Sequence, residues 1–172
     1  VRRILRLKFR LGLFDTPDTF RENYPDFGGA AFEKMAYEAA VESQVLLKNN
    51  GILPLKKDVR ILLTGPNADN IRTLNGGWSY TWQGDGAANP KYTEKYNTIY
   101  EALSKKFDNV TYVPGVEYII EAPYIWMIDQ ANIKPAVAAA KNADVIIACI
   151  GENTYCETPG NDVDMNLSAN QK

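Results

Sequence analysis

Glu152 and Glu157 stand five residues apart in the stretch GENTYCETPGND, which follows without a break on the apolar run DVIIACI. A carboxylate at the end of a buried strand costs free energy unless water or a partner receives it. One use for such a pair is proton transfer. A glutamic acid with a raised pKa gives up a proton, and a second carboxylate close by serves as nucleophile or base. Tyr155, Asn161, Asp162 and Asp164 share the loop and could bond a polar substrate. A solvated acidic surface loop is the plain alternative, and residue types alone do not choose between the two.

A second stretch, NGGWSYTWQGDG, places Trp78, Tyr80 and Trp82 within five residues, flanked by glycines and followed by Gln83 and Asp85. A flat indole covers the C–H face of a sugar while neighbouring amides and acids bond its hydroxyls. The competing reading is a surface loop pinned by one buried Trp. The nearby GPNADN follows an apolar run as phosphate-binding turns do, but it lacks dinucleotide-binding spacing and has no Lys at the P-loop position. It reads as a structural turn in which Asn67 or Asp69 caps the next segment.

Other chemistries are narrowed by what the chain lacks. There is no histidine, which removes Ser-His-Asp and Cys-His catalysis and the commonest metal ligand from these residues. No metal site is expected. Of the two cysteines, Cys149 lies inside the apolar run and reads as a small buried hydrophobe. A net charge of -2, with the basic cluster RRILRLKFR as the exception, argues against nucleic acid as a partner. No apolar run approaches the ~18 residues of a membrane span.

The elements that must position these loops alternate along the chain. VRILLTG, NVTYVPG and DVIIACIG read as buried strands; TIYEALSKKF and IKPAVAAAKNA read as the helices between them. This is the pattern of βαβ units and a parallel sheet, an α/β layered domain. In such sheets ligands bind beyond the carboxyl ends of the strands, where both candidate loops emerge. Ahead of the sheet, helical spacing predicts a helix over residues 30–48 stopped by NNG, and a shorter helix ending near Gly12. The Pro-, Gly- and Asp-rich DTPDTFRENYPDFGG between them reads as a connection.

Taken in order, VRRILRLKFRLGLFD, AAVESQVLLKNNGILPL, GPNAD, NGGWSYTWQG, AVAAAKNADVII and GENTYCETPGND resemble glycoside hydrolase family 3, in its branch of β-glucosidases and exo-β-glucanases. The resemblance implies that residues 1–14 are the last helix of a (β/α)8 barrel and 15–29 a linker. Residues 30–172 would then be the first part of an α/β sandwich domain that packs against the barrel. It also implies a retaining mechanism with the nucleophilic Asp on the barrel, outside these residues, and no cofactor. By position Glu157 would be the acid/base, with Glu152 as second choice or loop support. Trp82, then Trp78, would stack on sugar, with Tyr155 beside them. The GGWS-x-x-W-x-G pattern leans towards β-linked glucosides or oligosaccharides rather than xylosides. Cys156 and Pro159 depart from the small or polar residues expected in that loop. A chain that opens without Met inside a helix and stops at MNLSANQK is expected to be a piece of a longer protein. A periplasmic or secreted location would then require a signal peptide ahead of Val1. The alternative function is a non-catalytic α/β carbohydrate-binding or interaction module.

Overall fold

Ile61, Leu62 and Leu63 are the largest fully buried side chains among the described residues, and the strand they form is the middle of the sheet. The computed structural model describes residues 1–16, 24–79, 81–84, 96–119, 129–161 and 165–172. It divides into two units, Val1–Leu53 and Pro54–Lys172.

In the second unit β1 (Ile61–Thr64) pairs in parallel with β2 (Val110–Tyr112) on one side and with β5 (Val145–Ala148) on the other. The order β2-β1-β5 makes the sheet α/β with parallel βαβ units, as the alternating pattern predicts. Ile61, Leu62 and Leu63 are buried in succession, so β1 is covered on both faces and carries an unbroken aliphatic run. The chain leaves β1 towards β2 and then crosses back to the far side of β1. The gap between β1 and β5 is therefore the point where the strand order reverses, the usual ligand position in open parallel sheets.

Helix α4 (Ile99–Lys106) packs beside β2, and Tyr100 and Tyr112 bring their rings to 5.3 Å between centroids. Its start is set by a reciprocal cap. Thr98 Oγ1 accepts from the Glu101 N–H at 3.2 Å, and the Glu101 carboxylate accepts from the Thr98 N–H at 2.8 Å. Helix α5 (Ile133–Ala140) lies against β1 and buries Ala136. At the sheet's amino end the Asp144 carboxylate accepts from Arg60 Nε at 3.0 Å, from its Nη2 at 2.6 Å and from its backbone N–H at 3.0 Å. Those bonds hold Asp144 far below the ordinary carboxylate range and join the starts of β1 and β5.

Three short elements escape the sequence pattern. Helix α3 (Ile71–Asn75) stands in the stretch read as loop. Strands β3 (Val116–Tyr118) and β4 (Asp129–Ala131) form an antiparallel ribbon. Three-residue strands are too short for alternation to register, and Asp129-Gln130-Ala131 has no apolar face to detect.

The first unit holds α1 (Arg2–Arg10) and α2 (Ala30–Glu42). Gly12, at φ +67°, closes α1, with its N–H on the Phe9 carbonyl and the Leu13 N–H on that of Lys8. Helix α2 stops six residues short of the expected Lys48. Ser43 Oγ donates to the Ala40 carbonyl at 2.8 Å and Gln44 Nε2 donates to the same oxygen at 3.0 Å. These polar side chains occupy a last-turn carbonyl, a local alternative that competes with helix continuation. Asn49 instead organises a turn, accepting from the N–H groups of Gly51 and Leu53 at 3.1 and 3.2 Å. Residues 17–23 of the expected connection lie outside the described residues.

The carboxyl ends of β1 and β5 meet at Gly65, which has φ +98°; a Cβ there would lie 2.4 Å from the Cys149 carbonyl oxygen. Gly76 has φ +77° with open space around its Cβ position. Both Gly65→Ala and Gly76→Ala put a side chain at positive φ, at a cost on the order of 1–3 kcal/mol each. Only Gly65→Ala also forces backbone apart, so denaturant unfolding should show it to be the more destabilising by a further ~1–3 kcal/mol. Equal losses would contradict the close approach.

Candidate active site

Each loop at this end of the sheet has a local cause. After Gly65 the chain turns back over β5, with the Asn67 N–H donating to the Cys149 carbonyl at 3.1 Å. Asn70, not Asn67 or Asp69, caps the segment that follows. It alone has extended backbone directly before α3, and its Oδ1 accepts from the N–H groups of Arg72 and Thr73 at 3.1 and 3.4 Å. Asp69 accepts instead from the Thr98 hydroxyl at 2.7 Å, tying this turn to the start of α4.

The aromatic loop then closes tightly, since the Trp78 N–H donates to the Trp82 carbonyl at 2.9 Å. Trp78 and Trp82 are 67% and 47% exposed, so neither indole pins the loop from within. Gln83 does that. Its carbonyl accepts from the Thr154 hydroxyl at 2.9 Å, and its side-chain oxygen accepts from the Cys156 N–H at 3.0 Å. The Cys156 thiol adds a bond to the Trp82 carbonyl at 3.0 Å. Gly77 completes the seam: a Cβ at this position would lie 2.5 Å from the Tyr155 carbonyl oxygen. The two candidate loops therefore form one rim, joined across more than 70 residues of sequence.

On the acidic loop, Asn153 and Thr154 are buried while Glu152 and Glu157 are exposed. Glu152 accepts a hydrogen bond from the Tyr155 hydroxyl, so the first glutamate and the tyrosine are partners within the loop. The Tyr155 ring covers Gly160, where a Cβ would come within 2.9 Å of it. Glu157 begins a single 3-10 turn, Thr158–Gly160, with its carbonyl accepting from the Gly160 N–H at 2.8 Å. Trp78 and Glu157 are the two non-glycine residues at positive φ among those described, at 58° and 59°. Such backbone costs on the order of 1–3 kcal/mol per residue and persists where surrounding contacts enforce it, often at functional sites. Tyr80, Asp85, Asp162 and Asp164 lie outside the described residues.

The sequence reading did not single out Gln83 as the joint, nor Thr154 and Asn153 as buried supports. A glutamine in a glycine-rich loop carries no local mark of a partner on a distant strand end.

Residues 44–172 match the model of the glycosyl hydrolase family 3 C-terminal domain. The chain belongs to glycosyl hydrolase family 3. A lysosomal beta glucosidase from Dictyostelium discoideum is 37% identical over 99% of this family 3 chain. A periplasmic beta-glucosidase from Salmonella typhimurium is 36% identical over 88% of it. Relatives named as xylosidases also match, with a beta-xylosidase from Formosa agariphila 30% identical. The crystal structure of a beta-glucosidase from Listeria innocua, in complex with glucose, superposes with a TM-score of 0.71 at 28% identity over 98% of this chain. The family 3 chain spans about a fifth of the length of these proteins: 21% of the Dictyostelium relative, 22% of the Salmonella one and 21% of the Listeria structure. No described helix is long and apolar enough to cross a membrane.

Desolvation, and after it the neighbouring Glu157 carboxylate, push the Cys156 thiol above its ordinary range. The thiolate is the reactive form, so alkylation of Cys156 should be slow at pH 8 and rise only above about pH 9. Glu157→Gln removes one of the two causes and should speed Cys156 alkylation at pH 8, followed by peptide mass spectrometry. Glu152→Gln should leave the rate unchanged. The reverse pattern would place Glu152, not Glu157, beside the thiol.

Proposed function

We propose that these residues supply the acid/base half of a retaining, exo-acting β-glucosidase whose nucleophile lies on a barrel outside them. The observation that carries this reading is the joined rim: an exposed glutamate in enforced backbone beside two exposed indoles, at the strand-order reversal of a parallel sheet. A folded rim whose acid and aromatics face outward has the form of half a pocket.

In the first step a barrel carboxylate attacks the anomeric carbon as the bond to the leaving oxygen breaks, and Glu157 gives its proton to that oxygen. In the second, Glu157 as carboxylate takes a proton from water, whose oxygen displaces the barrel carboxylate from the anomeric carbon. The two carboxyls of a retaining pair stand ~5–5.5 Å apart. Glu152, engaged by Tyr155, keeps the loop in shape. Trp82, with Trp78 as second choice, lies under the leaving sugar, and this aromatic pair supports glucosides over xylosides as the substrate class. The packing partner is the barrel of the same protein. If the longer protein carries a signal peptide, it works in the periplasm or outside the cell.

General acid help matters most when the leaving group is poor. In the complete protein Glu157→Gln should lower kcat/KM on a β-linked glucose disaccharide by about 10²–10⁴-fold, and much less on an activated aryl β-glucoside. With the base missing too, turnover of the aryl substrate should stall at the glycosyl-enzyme. Added azide should restore it and yield a β-configured glucosyl azide. Rescue of Glu152→Gln and not of Glu157→Gln would reverse the two assignments.

A further inference from the structure

The ribbon β3–β4 and the segment 168–171 converge on one residue, Gly151, three residues past β5 and the root of the acidic loop. Gln171 bonds both sides of it. Its Oε1 accepts from the Gly151 N–H at 3.0 Å, and its Nε2 donates to the Gly151 carbonyl at 2.9 Å. This is how a neighbouring strand would pair with Gly151, with a side-chain amide in place of the strand. The same carbonyl accepts from the Tyr118 hydroxyl at 3.0 Å, which fills its second lone pair.

The amide is itself held. Gln171 Nε2 also donates to Asp129 Oδ2 at 3.0 Å, and Asp129 accepts from Asn170 Nδ2 at 2.8 Å and from the Ser168 hydroxyl. Burial acts to raise the Asp129 carboxyl, but the bonds from Ser168, Asn170 and Gln171 outweigh it and hold the group below its ordinary range. An ionised acceptor on one side fixes which end of the amide points where. Tyr118 and Asp129 are opposite each other in the ribbon register, so one cross-strand pair presents both the hydroxyl and the carboxylate. Burial pushes the Tyr118 hydroxyl up to about 12, which keeps it a donor throughout the neutral range.

We propose that Gln171 is a positioning residue for proton transfer: its amide, oriented by Asp129, fixes the Gly151 peptide and through it the place of Glu157. The inference rests on Glu157 serving as acid/base. The loop is then held twice, at its root by Gln171 and Tyr118 and in its middle by Gln83. A displacement on the order of 1 Å at a catalytic group can cost about 100-fold in rate.

The test compares kcat/KM for a β-linked disaccharide and for an activated aryl β-glucoside in the complete protein, since both report steps up to the glycosyl-enzyme. Gln171→Met removes the amide at similar volume. Tyr118→Phe removes a single donor and stands in should the first variant fail to fold. For Gln171→Met the disaccharide value should fall about 10- to 100-fold while the aryl value falls less than about 3-fold, a smaller copy of the Glu157→Gln pattern. Tyr118→Phe should fall in the same direction, by less. If both substrates decline together, in step with the folded fraction, Gln171 only supports folding and the proposal is overturned. If Gln171→Met splits the substrates and Glu157→Gln does not, the positioning role stands and the acid is another residue of the loop. If Glu157→Gln splits them and neither positioning variant does, Glu157 keeps its role and Gln171 loses its own.

Discussion

The parallel pairing of β1 with β5 is the constraint on which the site depends. It runs from Ile61 opposite Val145 to Thr64 opposite Ala148, and it ends where Gly65 passes the Cys149 carbonyl too closely for any side chain. Both candidate loops start from that junction. Shift the register of β5 by one residue and its faces invert, carrying Gly151 and everything after it to a different height and side. The bidentate Arg60–Asp144 pair at the opposite end of the same two strands guards against such a slip. Both its groups are substantially exposed, so it specifies alignment more than it stabilises.

From this junction the site is assembled by amides and hydroxyls rather than by ion pairs. Gln83 joins the rim in its middle, Gln171 and Tyr118 tie its root, and the Tyr155 hydroxyl engages Glu152. The strain at Trp78 and Glu157 fits the same account, because backbone in that region needs a seam that leaves it no alternative.

The sheet was legible because parallel strands are continuous apolar runs: Ile61–Leu63 is such a run and is buried, while Val145–Ala148 is equally apolar but leaves Ile146 and Ala148 exposed. The loops were legible as candidates because Trp and Glu clusters between glycines are unusual after strands. What escaped was whatever depends on distance. The ribbon β3–β4 has three residues per strand, and its value lies in Tyr118 and Asp129 meeting Gly151 and Gln171, contacts with no trace in local spacing. Helix α2 was overrun for the opposite reason. The helical period continues past Glu42, but Ser43 and Gln44 bond back to Ala40 and end it. The linker and domain limits expected from the family resemblance rest on that resemblance alone.

The most direct test of the central claim is the crystal structure of the complete protein with an unreactive sulfur-linked glucose disaccharide. The measured quantity is the distance from each loop carboxylate to the bridging atom. The account predicts Glu157 within about 2.6–3.2 Å of that atom, about 5–5.5 Å from the barrel carboxylate, with Glu152 still bonded to Tyr155. Glu152 at the bridging atom with Glu157 turned to solvent, or carboxyls separated by the ~6.5–9.5 Å of an inverting pair, would contradict it.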